Sequence, residues 1–215
     1  MSKVPTYAIL GEFDPVLNEK VMIIKSKVRE IIGEQQYLAD PPHCTFYLGQ
    51  FDDYKKWADK LSSLVLDLSE ELFRINLISW GTFFKDSVTG KNTLFCSVDT
   101  ETKTRLVLLQ ALIIETVNPY RAKEFDERYK QCLDKLNADQ INNLKQYGFP
   151  YVGNGWIPHV TIASIDPVRY DEVYSKIRDE CPSGAGIITA ISIYEIQDDD
   201  TLRHVKYLYR NPDYV

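Results

Sequence analysis

The chain has 215 residues, 44% of them hydrophobic and 26% charged, with a formal net charge of −6. That is the length of one domain with a substantial core, and it excludes the disordered and collagen-like classes. No apolar run reaches the roughly 18 residues of a membrane helix, and no dense Lys/Arg cluster marks a face for long nucleic acid. The expected partner is therefore a small nucleotide or a short RNA end, not a long duplex and not a membrane.

In chain order, residues 6–12 read as a strand. Asp14-Pro15 offers an N-cap and a first-turn proline, and Leu17, Val21, Ile24, Val28 and Ile31 follow at helical spacing. Residues 43–49 are apolar and β-prone. Asp52 or Asp53 can cap a helix whose stripe is Tyr54, Trp57, Ala58, Leu61, Leu64, Val65 and Leu68. Residues 72–80 and 93–99 read as strands around a turn at Lys85 to Lys91. Residues 102–117 read as a helix, Asn118-Pro119 breaks it, and a second helix is predicted over 121–136. Residues 148–158, with three glycines and two prolines, form a loop; 159–164 form a strand. Asp166-Pro167 caps a helix with Tyr170, Val173, Tyr174, Ile177 and Cys181 on one face. Residues 186–197 and 203–210 are strands, and Asp198-Asp199-Asp200 joins them as a hairpin turn.

A repeat lies inside this order. Pro42-His43-Cys44-Thr45 opens a strand, followed by an Asp cap, a Tyr-led amphipathic helix and a strand; Pro158-His159-Val160-Thr161 opens the same series. This predicts one domain over 1–215 built from two pseudo-symmetric lobes. Met1 to Leu10 lacks the basic-then-apolar pattern of a secretory signal, and Cys44, Cys96, Cys132 and Cys181 form no C-x-x-C pair. Reduced thiols, a cytoplasmic location and a monomer are expected.

The chemistry lies in the repeat. Alternate strand side chains share a face, so His43 and Thr45 point one way, as do His159 and Thr161. If both pairs meet in one cleft, one neutral imidazole can take a proton from a water or ribose hydroxyl while the other, as imidazolium, gives one to a leaving oxygen. The threonine hydroxyls can donate to non-bridging phosphate oxygens. A structural role suits a single H-x-T; two copies in a repeated unit favour catalysis. Zinc is the chemical rival, but the pairs offer two nitrogen ligands, Cys44 points to the other face, and no H-x-x-x-H is present. No metal and no cofactor are expected. His204, with no threonine two residues on, reads as an ordinary strand residue. Aromatics that could stack a base are Tyr47, by parity with His43 and Thr45; Phe149, Tyr151 and Trp156, just before His159; and Trp80 and Phe84. Lys85, Lys91 and Arg121 lie in or beside predicted loops.

The two Pro-His-x-Thr motifs resemble the signature of the two-histidine (2H) phosphoesterase superfamily, which includes LigT-type RNA ligase-like proteins, cyclic nucleotide phosphodiesterases and 2′-5′ oligoadenylate-degrading enzymes. The resemblance covers nearly the whole chain, including the stretch Phe73 to Phe84, the strand Leu94 to Val98 and the closing hairpin. It implies a bilobal α/β (α+β) fold with antiparallel-rich sheets, outer helices and a central cleft, and His43, Thr45, His159 and Thr161 as catalytic residues. It implies metal-independent hydrolysis of 2′,3′-cyclic or 2′-5′ phosphodiester bonds; a nucleotide-sensing module with little turnover, or a ligase of tRNA halves, are the alternatives. Tyr47, Tyr151, Trp156 and Phe84 are the candidate substrate contacts. The long segment 118–147 departs from shorter members and is expected at the rim of the cleft.

Overall fold

The computed structural model describes residues 4–214. Its strands are β1 (Thr6–Phe13), β2 (His43–Gln50), β3 (Arg74–Phe83), β4 (Asn92–Val98), β5 (His159–Ile165), β6 (Gly184–Ile196) and β7 (Leu202–Arg210). The helices are α1 (Pro15–Ile32), α2 (Lys55–Leu66), α3 (Thr100–Val117), α4 (Glu127–Lys130), α5 (Ala138–Tyr147) and α6 (Pro167–Ile177). Every strand pair is antiparallel, in the order β2-β1-β6-β3-β4-β5, with β7 also on β6. This is the mixed α/β fold with an antiparallel sheet that the family resemblance implies.

The long strand β6 joins the two ends of the sheet. Gly184–Ile187 pair with β3, and Ile188–Ile196 pair with β1. At the change of partner, Asp14 Oδ2 accepts from Ile187 N while Oδ1 accepts from Val16 N and Leu17 N, so one carboxylate both caps α1 and fastens it to β6. The sheet curves until its terminal strands, β2 and β5, lie against each other. The helices cross over: α1 packs on β5, β6 and α6, and α3 packs on β2, β3 and α2. Each motif strand is thus covered by a helix from the other half of the chain, over one continuous core in which Leu17, Val21, Val28, Leu106 and Ile113 are buried.

The segment after α3 differs from its sequence reading. The predicted helix over 121–136 is instead an irregular run followed by the single-turn α4 and a 3-10 turn, Leu133–Lys135. Arg121 explains the irregularity. Its guanidinium donates to the carbonyls of Ala122, Lys123, Lys145 and Gln146, which holds local backbone groups out of a helical ladder. The longer helix of this region is α5, started by a reciprocal capping box between Asn137 and Gln140 and ended at Gly148, whose φ of 71° is left-handed. The 198–200 turn and the β6–β7 hairpin form as the sequence predicts.

Candidate active site

Both motif strands carry a one-residue bulge directly after the motif threonine. Leu10 pairs with Thr45 and Ile9 with Tyr47, which leaves Phe46 extra; Phe95 pairs with Thr161 and Leu94 with Ala163, which leaves Ile162 extra. His43, Thr45, His159 and Thr161 line one cavity of about 890 Å³, while Cys44, Phe46, Val160 and Ile162 are buried behind them. The two strands touch there: the Cys44 thiol lies against the His159 main chain, and burial pushes that thiol up to about 12, which makes it a core group.

The two imidazoles are held alike. His43 Nδ1 lies 2.8 Å from the Pro41 carbonyl and His159 Nδ1 lies 2.6 Å from the Ile157 carbonyl. A carbonyl only accepts, so each Nδ1 carries the proton and each Nε2 is the ring's uncommitted nitrogen. Burial lowers His43 to about 4, against the opposing Pro41 contact, and the nearby Lys25 and His159 charges lower it further. Burial also lowers His159, with the Ile157 contact and Asp86 pulling the other way. Both rings are therefore neutral near pH 7. Negative charge placed beside them would favour the imidazolium form. Among the described residues neither the Thr45 nor the Thr161 hydroxyl has a protein partner, so both are free to donate to a ligand.

Around His159 the wall is aromatic. Phe83 meets it edge-on at 5.1 Å, Phe95 lies tilted to it at 4.9 Å, and these two rings stack at 4.3 Å. The Phe95 ring lies across Gly81, where an added Cβ would come within 2.3 Å of it; Gly81 is what lets Phe95 reach the histidine. The segment beyond α3 supplies Arg128, Tyr129, Gln131, Lys135 and Gln140 to the same cavity, which puts the long insertion at its rim.

The predicted substrate contacts separate. Tyr151 lines the cavity and its hydroxyl is 3.0 Å from Ser87 Oγ. Phe84 is the exposed one, 69% accessible and edge-on to Tyr170. Trp156 reaches the cavity, but its ring is buried against Phe46 at 5.7 Å. Tyr47 is a correction: it is fully buried, and its hydroxyl donates to the Tyr147 carbonyl. The bulge at Phe46 reverses the alternation, so Leu48 takes the cavity face that parity assigned to Tyr47. Lys85 lines the cavity, whereas Arg121 is occupied with main-chain carbonyls. His204 packs between Tyr194 and Tyr207, away from the cavity. Among the described residues no group of three or more His, Cys, Asp or Glu side chains is placed to hold a metal ion, and no helix is long and apolar enough to cross a membrane.

Sequence reasoning missed Lys25, Tyr37, Phe83 and Arg128. Lys25 had a legible signal. It follows Val21 by four residues and precedes Val28 by three, inside the apolar stripe of α1, and it is 1% exposed.

Fold and site together define a mixed α/β protein with two Pro-His-x-Thr strands brought to one cavity, the arrangement implied by the two-histidine phosphoesterase resemblance. Residues 85–186 match a family model described as a protein of unknown function, DUF1045. No curated protein matches the chain. Similar solved structures include Escherichia coli LigT complexed with NADP+, at 13% identity and a TM-score of 0.49 over 98% of this chain and 99% of that one. They include Usb1 of Kluyveromyces marxianus, at 10% identity and a TM-score of 0.49 over 93% and 96%. A conserved protein of unknown function from Agrobacterium tumefaciens matches at 9% identity and a TM-score of 0.46 over 95% and 87%.

Proposed function

We propose that this chain is a metal-independent phosphodiesterase that cleaves 2′,3′-cyclic or 2′-5′ phosphodiester bonds of nucleotides or short RNA ends, and that its two halves are copies of one unit. One observation carries the reading: two imidazoles in one cavity, each with Nδ1–H fixed on a carbonyl two residues upstream, each beside a threonine hydroxyl with no protein partner. One Nε2 removes a proton from the attacking water or hydroxyl. The other Nε2–H protonates the leaving oxygen, and the Thr45 and Thr161 hydroxyls donate to the non-bridging oxygens as charge shifts onto them. The neutral forms set by burial suit a base directly; the acid gains its proton as the phosphate enters.

Turnover of a panel of 2′,3′-cyclic mononucleotides and 2′-5′ dinucleotides in EDTA tests this. Hydrolysis of at least one class, unchanged by the chelator, is the expected result. Tight binding without turnover would make the protein a nucleotide-binding module. Loss of activity on chelation, restored by zinc or magnesium, would mean a different mechanism.

A further inference from the structure

The helices α1 and α3 are both 18 residues long, and each carries a long polar side chain in its buried stripe at the eleventh position: Lys25 and Gln110, the latter beside the shorter buried Thr102 and Thr116. Each holds the loop that leads into a motif strand. Lys25 Nζ donates to the carbonyls of Tyr37 at 2.6 Å and Asp40 at 2.8 Å, just ahead of His43. Gln110 Nε2 donates to the Phe46 and Tyr151 carbonyls, and its Oε1 accepts from Gly153 N, ahead of His159. The Gln110 amide has no donor left, one going to Phe46 in β2 and one to the loop at Tyr151, whereas an ammonium has three N–H groups and Lys25 uses two. Clamping a loop therefore needs only a neutral amide, as the second half shows. Burying a cation costs free energy that the clamp does not require, and Lys25 forms part of the wall of the same cavity as His43 and Thr45.

We infer that Lys25 is the cation that meets the substrate phosphate, and that its charge makes His43 the general base and His159 the general acid. The catalytic part of this rests on the phosphodiesterase reading; the electrostatic part does not. The charged groups nearest His43 in the chain fold are Lys25 on α1, Asp40 in the preceding loop and Glu12 opposite it on β1, with His159 and Asp86 across the cavity. Lys85, Lys135 and Arg128 also line the cavity, Arg128 being paired with Asp126 and Asp200, but it is the Lys25 and His159 charges that act on the His43 ring. Glu12 accepts a hydrogen bond from Tyr194, and Asp40 and Lys25 each favour the other's charged form. Asp86 on the far side favours the charged form of His159. One histidine thus faces a cation and the other an anion, which separates their roles.

Lys25→Gln, which gives α1 the residue α3 already has, and Lys25→Met both remove the charge. With three histidines in the chain, their ring protons can be followed one by one by NMR across pH, and binding of inorganic phosphate can be measured by calorimetry. Both variants should raise the His43 midpoint and leave His159 nearly in place. Phosphate affinity should fall by about tenfold or more, and kcat/KM by about 10²-fold, the cost of one preorganised donor. His204→Ala should change none of these. A folded Lys25→Gln or Lys25→Met with either the parent's His43 midpoint or the parent's phosphate affinity overturns the inference, as does a parent protein that binds no phosphate. Turnover with an unmoved His43 sinks this inference alone; a moved His43 in a protein that cleaves no diester sinks the substrate reading alone.

Discussion

The two halves of the site share a backbone and differ in charge. In each, a Pro-His-x-Thr strand is followed by the same bulge, the histidine Nδ1 rests on a carbonyl two residues upstream, and a buried polar residue from an 18-residue helix holds the preceding loop. The first half surrounds its histidine with Lys25; the second packs its histidine against Phe83 and Phe95, with Asp86 nearby. The common backbone brings the two imidazoles to one cavity. On the phosphodiesterase reading, the differences are what would assign one member to giving the proton and the other to taking it.

The largest effect should follow from breaking either half at its centre. His43→Ala and His159→Ala should each lower turnover by roughly 10²–10⁴-fold, the usual worth of one general acid or base. Each variant must keep its thermal midpoint near the parent's for the comparison to count. Thr45→Ala and Thr161→Ala should cost roughly tenfold each, about 1.4 kcal/mol for one hydroxyl hydrogen bond, with proton transfer left intact. Steady-state kinetics that show Thr161→Ala as damaging as His159→Ala would give the hydroxyl a larger role.

Gly81→Ala acts on the second half only. The new methyl would press on the Phe95 ring and should destabilise the fold by about 1–3 kcal/mol, the range for overpacking. Chemical denaturation measures that loss, and the NMR midpoint of His159 should move while that of His43 stays.

The smallest effects are in stability against pH. Burial holds Lys25 near 8 against 10.5 for a free lysine. Between those values the unfolded chain binds the extra proton, so the Lys25 contribution to stability rises with pH. The gap in unfolding free energy between parent and Lys25→Met should therefore move in the parent's favour from pH 8 to 10. His43, lowered from 6.5 to about 4, has the same sign at lower pH: its contribution is present above 6.5 and is lost as the pH falls towards 4. Urea titrations across both windows check the two slopes, and a flat difference in either would contradict the corresponding burial.

Much of this was legible in the sequence. The motif quartet and the helices capped by Asp14-Pro15 and Asp166-Pro167 were readable because period and cap chemistry are local. The closing hairpin followed from its acidic turn. Tyr47 was misplaced because a bulge leaves no mark in a run of β-prone residues, and one extra residue moves every later side chain to the other face. The 121–136 helix was overcalled because its composition suits a helix, while the contacts that undo it, from Arg121 to Lys145 and Gln146, are long-range. Lys25 was readable as an exception in an apolar stripe; its purpose was not, since only the fold brings α1 to His43.

The most direct test is the pH dependence of kcat/KM in the parent and in the two histidine variants, on the best substrate and in EDTA. A neutral base and a charged acid give a bell for the free enzyme. With both rings lowered by burial, the optimum should lie on the acid side of 6.5. His43→Ala should lose the acid limb and keep the alkaline one, and His159→Ala should do the reverse. A bell that survives intact in either folded variant, or limbs lost in the opposite assignment, would contradict the account.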